Sequence, residues 1–345
     1  MAKLMVIGDL HMGHRSGDRE TAEYQIRVFE EFIFPLIAKL GIKHVIQTGD
    51  FFDARKAIRH DTMELVRERF VPMTKGQHWD ILVGNHDMHL KESIFPNSCN
   101  ELLSGYDNIT IHNEPGVVEV DGIKIDMIPW ICRDNRKQVL DFIANSSNNI
   151  AVGHFELAGF QYYRGMASQG EDAHFLANYS QVWSGHFHTI SKANHILYVG
   201  TPYQLTFGDA DDDRGVWVYD TDDGTFEFHN NNMPRFSRIY FDHSTFDEKN
   251  LERYKDMYLN IQVKSRGDTK KFDKLIDKLI TIAREVKVKD VLDSSSGSGT
   301  APTLNNMLTT ADIIDQYIDT LEETEEDRTK IKRFMMDLYR EAETL

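Results

Sequence analysis

Five short runs of this sequence place Asp, His or Asn beside glycine, and those three residue types bind divalent metals. The runs are Asp9-Leu10-His11, Gly49-Asp50-Phe51-Phe52-Asp53, Gly84-Asn85-His86-Asp87, Gly153-His154 and Gly185-His186-Phe187-His188. Three of them directly follow apolar, strand-like stretches at residues 4–7, 44–47 and 80–83. Loops that follow the strands of an α/β sheet open on one edge of that sheet. We therefore expect two carboxylates, one amide and four imidazoles to meet at one point, which is enough to hold two divalent ions.

The residue types indicate phosphoryl chemistry. Two cations about 3.5–4 Å apart can clamp the attacking and leaving oxygens of a phosphoryl displacement and acidify a water, which then serves as the nucleophile. A carboxylate shared by both ions would hold them close together, and Asp50 is the best candidate because it rises from a buried strand between the other motifs. Mixed imidazole, amide and carboxylate ligands favour manganese, iron or zinc over calcium. The lack of a Cys cluster disfavours a thiolate zinc site.

His86 stands between two other motif residues and is predicted not to bind metal. A cationic imidazole beside the metals would stabilise developing phosphate charge or protonate the leaving oxygen. Asp87 would then hold that ring in place and raise its pKa, as an orienting carboxylate does. The alternative is that Asp87 only caps the segment that follows it.

Composition narrows the class of protein. The chain has 345 residues and a net charge of -16, which argues against coating nucleic acid by bulk charge but allows a local basic groove. The only cysteines are Cys99 and Cys132, and two unpaired thiols favour a reducing cytoplasm. The N-terminus reads as a short strand and not as a signal peptide. No apolar run approaches the roughly 18 residues that a membrane span needs.

The pattern along the chain predicts an α/β protein with added parts. Strand-like and helical runs alternate as far as residue 207, and a hairpin around Asp222-Asp223-Gly224 begins a new pattern. Helices are predicted at residues 21–40, 61–70, 96–103, 270–284, 309–321 and 327–343, and strands at 108–111, 117–120, 124–128, 150–152, 216–219, 225–228 and 258–263. Residues 294–299 are all Ser or Gly and predict a flexible linker.

Taken together, the five motifs resemble those of the calcineurin-like metallophosphoesterase superfamily. Their order and fine pattern are similar to the Mre/SbcD-type DNA double-strand-break repair nucleases. The Gly200-Thr201-Pro202 and Met233-Pro234-Arg235-Phe236 segments also resemble that family's pattern, and the length and C-terminus are similar to the recombination nuclease subunits of T4-like bacteriophages. The resemblance covers residues 3–240 well and the remainder only in layout.

The resemblance implies a β-sandwich flanked by helices, with a small α+β cap domain and a C-terminal helical pair. It implies a nuclease domain at 1–238, a DNA-binding cap at 239–292, a linker at 293–302 and an ATPase-binding region at 303–345. Both metals would be Mn²⁺, with Mg²⁺ as the alternative. One ion would be held by Asp9, His11, Asp50 and His188, and the other by Asp50, Asn85, His154 and His186. His86, supported by Asp87, would face the phosphate. Family members cleave DNA as exonucleases and endonucleases, dimerise, and assemble with an SMC-like coiled-coil ATPase; some carry a second catalytic His where this chain has Asp53.

Three alternative functions remain. A protein Ser/Thr phosphatase of the same superfamily typically continues Gly-Asp-x-x-Asp with Arg-Gly and has Gly-Asn-His-Glu, whereas this chain has Ala54-Arg55 and Asp87. A small-substrate phosphodiesterase is allowed by the motifs but would not need the chain beyond the catalytic domain. A scaffold that has lost catalysis would usually lose ligands, and this sequence has kept them all.

Contacts with DNA and partners are predicted from charge and apolar spacing. Basic residues after the second motif and in the small second unit would contact DNA phosphates: Arg55, Lys56, Arg59, Lys264, Arg266, Lys270 and Lys271. The alternative for these clusters is an ordinary solvated helix face. Apolar residues at helical spacing near the C-terminus would form a binding site, and the family resemblance implies that its partner is the ATPase: Ile314, Ile318, Leu321, Phe334 and Leu338. The alternative is that these helices fold back onto the nuclease domain. The family resemblance implies that residues 61–70 and 92–103 are candidates for a dimer interface.

Overall fold

The computed structural model describes residues 3–163, 166–290, 318 and 324–343. The chain divides into two compact units: residues 1–203, 213–231 and 314–345 form the first, and residues 204–212 and 232–313 form the second. The second unit therefore begins before residue 239 and also takes in residues 204–212. The predicted linker at 293–302 and most of the region at 303–323 lie outside the described residues, so these assignments stay predictions.

Nineteen strands are found in the described residues. In chain order they are β1 (Lys3–Ile7), β2 (His44–Gln47), β3 (His78–Leu82), β4 (Met88–Leu90), β5 (Ser93–Asn97), β6 (Ile109–His112), β7 (Gly116–Val120), β8 (Ile123–Ile128), β9 (Ile150–His154), β10 (Gln161–Tyr163), β11 (Met166–Ala167), β12 (Gln181–Gly185), β13 (Ser191–Ala193), β14 (Ile196–Tyr198), β15 (Gly215–Asp220), β16 (Phe226–Asn230), β17 (Phe236–Asp242), β18 (Tyr258–Ser265) and β19 (Glu285–Asp290). The predicted strands and the hairpin β15–β16 are confirmed.

Two six-stranded sheets form the body of the first unit. The first has the order β16-β15-β1-β2-β3-β6, with β1, β2, β3 and β6 parallel. The second has the order β13-β14-β12-β9-β8-β7, with β14, β12, β9 and β8 parallel. Strands β1 and β9 are almost wholly buried, as expected where parallel strands are covered on both faces.

A shared apolar core joins the two sheets. Leu4, Val6 and Ile46 from the first sheet belong to the same buried cluster as Val152 and Trp183 from the second. This packing is a β-sandwich, and with its flanking helices it confirms the predicted α/β class. The motif loops leave the carboxyl ends of β1, β2 and β3 in one sheet, and the last two motifs lie at the ends of β9 and β12 in the other.

Helices flank the sandwich. Those predicted at 21–40, 61–70 and 96–103 are found, but the last begins at Ser98 because Ser93–Asn97 forms β5, and helix Arg136–Asn145 was not predicted. The flanking helices are His14–Gly17, Arg19–Val28, Phe29–Ile33, Phe34–Leu40, His60–Leu65, Val66–Phe70, Val71–Thr74, Ser98–Leu103 and Arg136–Asn145, with a short 3₁₀ turn at Ala173–Leu176. Another short 3₁₀ turn, Phe207–Asp209, belongs to the second unit. The first long helix begins where the Asp18 side chain accepts a hydrogen bond from Thr21 N, and it ends at Gly41, whose φ of 69° favours glycine. The prediction for residues 21–40 is thus confirmed.

The second unit has its own small core. Strands β17, β18 and β19 form a parallel sheet, and helix Thr269–Ile282 and the 3₁₀ segment Glu248–Tyr254 contribute to a buried cluster that includes Phe272 and Leu259. The Asp268 side chain begins that helix by accepting from Lys270 N and Lys271 N.

The last described helix is Glu325–Glu343, which confirms the helix predicted at 327–343. Its predicted companion at 309–321 lies outside the described residues except for residue 318. Among the residues that the structure describes, every helix is too short or too polar to traverse a lipid bilayer.

Candidate metal centre

The five motifs meet at one end of the sandwich, as two adjoining groups of side chains. In one group, ligand atoms of Asp9, His11 and His188 all lie within 4.8 Å of one another, and in the other group those of Asp50, His154 and His186 do so. The convergence follows from the topology, because each loop leaves a strand at the same edge of the two sheets.

Asp50 lies between the two groups. Its Oδ2 is 3.8 Å from His11 Nε2 and 3.3 Å from His154 Nε2. Its other oxygen accepts a hydrogen bond from His86 N at 2.7 Å. The backbone of Asp50 has a φ of 54°, a conformation that non-glycine residues rarely adopt and that clusters at functional sites. The carboxylate is therefore held where it can reach imidazoles of both groups.

Asn85 completes the second group. Its Oδ1 lies 3.1 Å from His154 Nε2 and 3.0 Å from His186 Nδ1. His154 Nδ1 is 2.9 Å from the carbonyl oxygen of Thr48 and donates to it, so the lone pair of this ring lies on Nε2. An amide oxygen, two ring nitrogens and the Asp50 carboxylate thus converge.

The first group contains two ring nitrogens that face each other. His11 Nε2 is 3.0 Å from His188 Nε2, and Asp9 Oδ2 is 4.0 Å and 3.9 Å from these two nitrogens. Asp53 Oδ1 lies 3.0 Å from His11 Nδ1, so Nδ1 carries a proton and Nε2 is the nitrogen that faces the centre. A divalent ion would replace the proton that the two facing nitrogens share and would also be reached by the Asp9 carboxylate, so this donor set fits a divalent metal.

Electrostatics agree with a cation-binding centre. Burial raises the pKa of Asp9 to about 6, and the charge of Asp50 adds to that shift. Burial lowers the pKa of His154, but the charges of Asp50 and Asp9 outweigh it and raise that pKa to about 9. Burial likewise lowers the pKa of His11, and the contacts with Asp53 and Asp50 raise it to about 9. Buried carboxylates here draw positive charge toward themselves, which divalent ions would supply.

Comparison with known proteins assigns the chain to a family. The model of the calcineurin-like phosphoesterase family matches residues 2–189. The chain belongs to the calcineurin-like phosphoesterase family. A curated relative, "Exonuclease subunit 1" of Enterobacteria phage T4, is 37% identical over 343 residues, which cover 99% of each chain. A solved structure described as a novel archaeal phosphodiesterase aligns with 66% of this chain and 99% of its own, at 14% identity and a TM-score of 0.34.

In this phosphoesterase, the predicted support of His86 by Asp87 is wrong. The ring Nδ1 of His86 is 2.7 Å from the carbonyl oxygen of Asp53, so the backbone at Asp53 holds the ring. The Asp87 carboxylate instead accepts from the backbone N–H groups of Phe51, Phe52 and Gly84 at 3.0–3.3 Å. Burial also lowers the pKa of His86, whereas the sequence predicts that Asp87 raises it. Asp87 therefore joins two motif loops and does not orient His86.

Motif glycines let the phosphoesterase loops approach their ligands closely. A Cβ added at Gly84 would lie 2.2 Å from Asp50 Oδ1, and one added at Gly185 would lie 2.5 Å from Asp9 Oδ1. Real Cβ atoms do not come this close to oxygen. The glycines are thus required at these two positions by the space that the carboxylates occupy.

Several residues around the centre were missed by the sequence analysis. His14 Nδ1 is 3.1 Å from Asp53 Oδ1, so Asp53 is shared by His11 and His14. The ring of Trp130 lies 5.1 Å from the ring of His186, and Glu156 Oε2 is 3.7 Å from His186 Nε2. The only signal for Trp130 in the sequence was its position just after a strand. Residues that follow strands lie at the edge of the sheet where the motif loops meet.

The Gly200-Thr201-Pro202 segment, which resembles the family's pattern, supports the last motif. Thr201 N donates to the carbonyl oxygen of His188 at 3.0 Å. Arg214 donates to that same carbonyl and, at 2.8 Å, to Thr201 Oγ1. These contacts fix the backbone at His188.

The predicted DNA-contacting residues lie at the surface of their units. Lys56 is exposed, and Arg59 is exposed but bonds to Asp61 at 2.9 Å and 3.1 Å. In the second unit Lys264, Lys270 and Lys271 are exposed, whereas Arg266 already pairs with Asp290 at 2.5 Å and 2.9 Å. Arg55 is half-buried. The two carboxylate-paired arginines therefore contribute less free positive charge than predicted.

The predicted partner-binding residues differ in exposure. Phe334 is 62% exposed and Leu338 is 43% exposed, one helical turn apart. Ile318 is buried with 2% exposure, so its predicted place on a binding surface is wrong. Ile314 and Leu321 lie outside the described residues.

Proposed function

We propose that this protein is a divalent-metal-dependent DNA nuclease that hydrolyses phosphodiester bonds at DNA ends. The single observation that best supports the proposal is Asp50, whose carboxylate lies within 4 Å of imidazoles from both groups. A shared carboxylate is what a two-metal phosphodiesterase centre requires. The full-length similarity to a protein named "Exonuclease subunit 1" supports DNA as the substrate.

Each residue of the centre has a proposed role. Asp9, His11, Asp50 and His188 would hold one ion, and Asp50, Asn85, His154 and His186 would hold the other. Mixed nitrogen and oxygen donors favour Mn²⁺, with Mg²⁺ as the alternative. Burial lowers the pKa of His186 to about 4, so this ring is neutral near pH 7, which is the form that binds metals.

The bound ions would supply an acidified water and a clamp for the oxygens of the displaced phosphate. His86 is placed to act on the phosphate itself. Its Nδ1 donates to the Asp53 carbonyl, which fixes the ring and leaves Nε2 to exchange a proton. Burial lowers the pKa of His86, and a phosphate anion beside the ring would raise it again. The protonated ring would then donate to the leaving oxygen.

Asp53 would act through His11 and not on the substrate. Its carboxylate lies 3.0 Å from His11 Nδ1 and 3.1 Å from His14 Nδ1. A carboxylate behind a ligating histidine fixes the ring and makes it a stronger ligand. This role explains why an Asp can stand here where some family members have a His.

We also propose that the nuclease is one subunit of a larger assembly. The relative's name includes the word "subunit", which supports a partner. Phe334 and Leu338 present apolar surface on the last helix. This surface would bind the base of an SMC-like coiled-coil ATPase, and the two proteins would act together in double-strand-break repair and recombination. Two nuclease chains and two ATPase chains would form a heterotetramer on DNA.

Substitution of Asp50 tests the two-metal nuclease. In Asp50→Ala, Mn²⁺-dependent degradation of a linear duplex should fall to background, because the shared ligand is lost, while circular dichroism shows that the fold persists. Asp107→Ala removes an exposed carboxylate and serves as the matched control. Near-normal Mn²⁺-dependent cleavage by Asp50→Ala would overturn the assignment. If the wild-type protein cleaves bis-p-nitrophenyl phosphate but not DNA, the result would favour a small-substrate phosphodiesterase.

A further inference from the structure

A second cluster of metal-binding side chains lies in the first sheet, away from the motif loops. It consists of His44 on β2, His78 and Asp80 on β3, and His112 on β6, and we call it the strand cluster. In the strand pairing His44 is opposite His78, and Asp80 is opposite Thr110. Alternate residues of a strand share a face, so all four side chains project from the same face of the sheet. His44 and His78 begin their strands, whereas the motif loops leave the other ends.

Three imidazoles surround the Asp80 carboxylate. His44 Nε2 is 2.5 Å and His78 Nε2 is 3.7 Å from Asp80 Oδ2, while His112 Nε2 is 2.6 Å from the other oxygen, Oδ1. The Asp80 side chain is only 3% exposed, and that of His78 is 41% exposed. His78 also lies 3.1 Å from Thr110 Oγ1. A buried carboxylate is thus reached from one side by a solvent-accessible ring.

The charge state of Asp80 suits cation binding. Burial raises its pKa, but the hydrogen bonds from His112 and His44 outweigh that effect and hold the pKa at about 2. The carboxylate is therefore ionised at neutral pH although its side chain is buried. Ligand atoms of His44, His78 and Asp80 all lie within 4.8 Å of one another.

The two ligand distances from Asp80 bracket the spacing in a zinc site. Two ligands at about 2.0–2.1 Å from a tetrahedral ion are roughly 3.3 Å apart. The His44–Asp80 pair at 2.5 Å would have to open slightly, and the His78–Asp80 pair at 3.7 Å would have to close slightly. His112 would keep its hydrogen bond to Asp80 Oδ1, the oxygen that does not face His44 and His78, and would so orient the carboxylate.

We propose that the strand cluster binds one zinc-class divalent ion through His44, His78 and Asp80. Two imidazoles and a carboxylate form a ligand set that binds Zn²⁺, Ni²⁺ and Cu²⁺ more tightly than Ca²⁺ or Mg²⁺. The exposed side of His78 provides the entry path and leaves a fourth position for water. The ion would cross-link β2 and β3 and would stabilise this edge of the sheet. This site is separate from the nuclease centre and does not depend on the function proposed above.

Zinc titration of the metal-free full-length protein tests the proposal. Calorimetry should count one more bound Zn²⁺ in the wild type than in His78→Ala, and added Zn²⁺ should raise the melting temperature of the wild type more. His174→Ala removes an exposed histidine on a 3₁₀ turn and should bind as many ions as the wild type. Mn²⁺-dependent nuclease activity should be unchanged in His78→Ala, since His78 is outside the catalytic centre.

Substitution of His112 separates an orienting role from a ligand role. His112→Gln should retain the extra Zn²⁺ but bind it about 10–100-fold more weakly, because the carboxylate loses its orienting partner. Co²⁺ provides a second measurement, since the wild type should gain the visible absorption of a four-coordinate ion that His78→Ala lacks. Equal Zn²⁺ counts and equal Co²⁺ spectra in the wild type and His78→Ala would overturn the proposal. The cluster would then be a group of hydrogen-bonded polar side chains that binds no ion.

Discussion

Substitution of Gly84 by alanine should disable the metal centre although it replaces none of the proposed ligands. The added Cβ would lie 2.2 Å from Asp50 Oδ1 and 2.3 Å from Asp50 N, whereas ordinary contacts begin at 3.4 Å. The gap between the two loops must therefore grow by about 1.2 Å, which is the difference between 3.4 and 2.2 Å. The nearest atoms are backbone and a buried carboxylate, so a flexible side chain cannot absorb the shift. Asp50 has to move.

A displacement of about 1 Å can cost roughly 10²-fold in rate. We therefore expect Gly84→Ala to lower Mn²⁺-dependent cleavage by at least about 10²-fold. Overpacking in a close-packed region should also cost about 1–3 kcal/mol of stability. The assay is cleavage of a linear duplex at saturating Mn²⁺, with calorimetric titration of Mn²⁺ and a denaturant melt on the same preparation.

Gly105→Ala is the matched control, because a Cβ there meets no atom within 4 Å. It should keep wild-type activity, metal affinity and stability. If Gly84→Ala folds and cleaves DNA within a few-fold of the wild type, the close approach to Asp50 does not matter for catalysis, and the placement of Asp50 at the centre is wrong.

Three further predictions concern residues around the centre and the C-terminal helix. His86→Ala should keep both Mn²⁺ ions in calorimetry but lose about 10²–10⁴-fold in rate, as expected for a lost acid–base group; disappearance of one Mn²⁺ site would make His86 a ligand instead. Asp53→Asn should weaken Mn²⁺ binding by about 10–100-fold, because His11 loses its orienting carboxylate, whereas Asp107→Asn should not; equal affinities would contradict the role of Asp53. Ending the chain near Ser296, or Phe334→Asp alone, should leave nuclease activity intact and abolish association with the ATPase; co-purification at unchanged affinity would refute that surface.

The sequence was sufficient to predict which loops meet, because parallel strands impose their geometry on whatever follows them. Asp9, Asp50 and Asn85 each come directly after a strand-like run, and the structure brings them together. The strong turn signal of Asp222-Asp223-Gly224 likewise located the hairpin β15–β16. Predictions of this kind rest on local pattern, which the tertiary structure did not override.

Side-chain partners were harder to predict, because adjacency in sequence says little about contact. His86 and Asp87 are neighbours, yet the Asp87 carboxylate bonds to amides of Phe51 and Phe52, about 35 residues earlier. Trp130 and Glu156 reach His186 from separate loops, and neither belongs to a residue motif, although Trp130 follows a strand. The strand cluster escaped notice because its residues are spread over three strands and become neighbours only through the strand pairing.

The Asp87 carboxylate has a consequence for how the metal centre opens. It binds the amides of Phe51 and Phe52 in one loop and of Gly84 in another, so neither loop can detach while the other stays in place. Local opening in proteins occurs in cooperative units joined by such bonds. The three amides should therefore exchange their hydrogens with solvent as one group. Opening of that group would also displace Asp50 and Asn85, which lie in the two joined loops. Release of an ion bound there would then be coupled to a backbone motion as well as to the strength of the individual ligands.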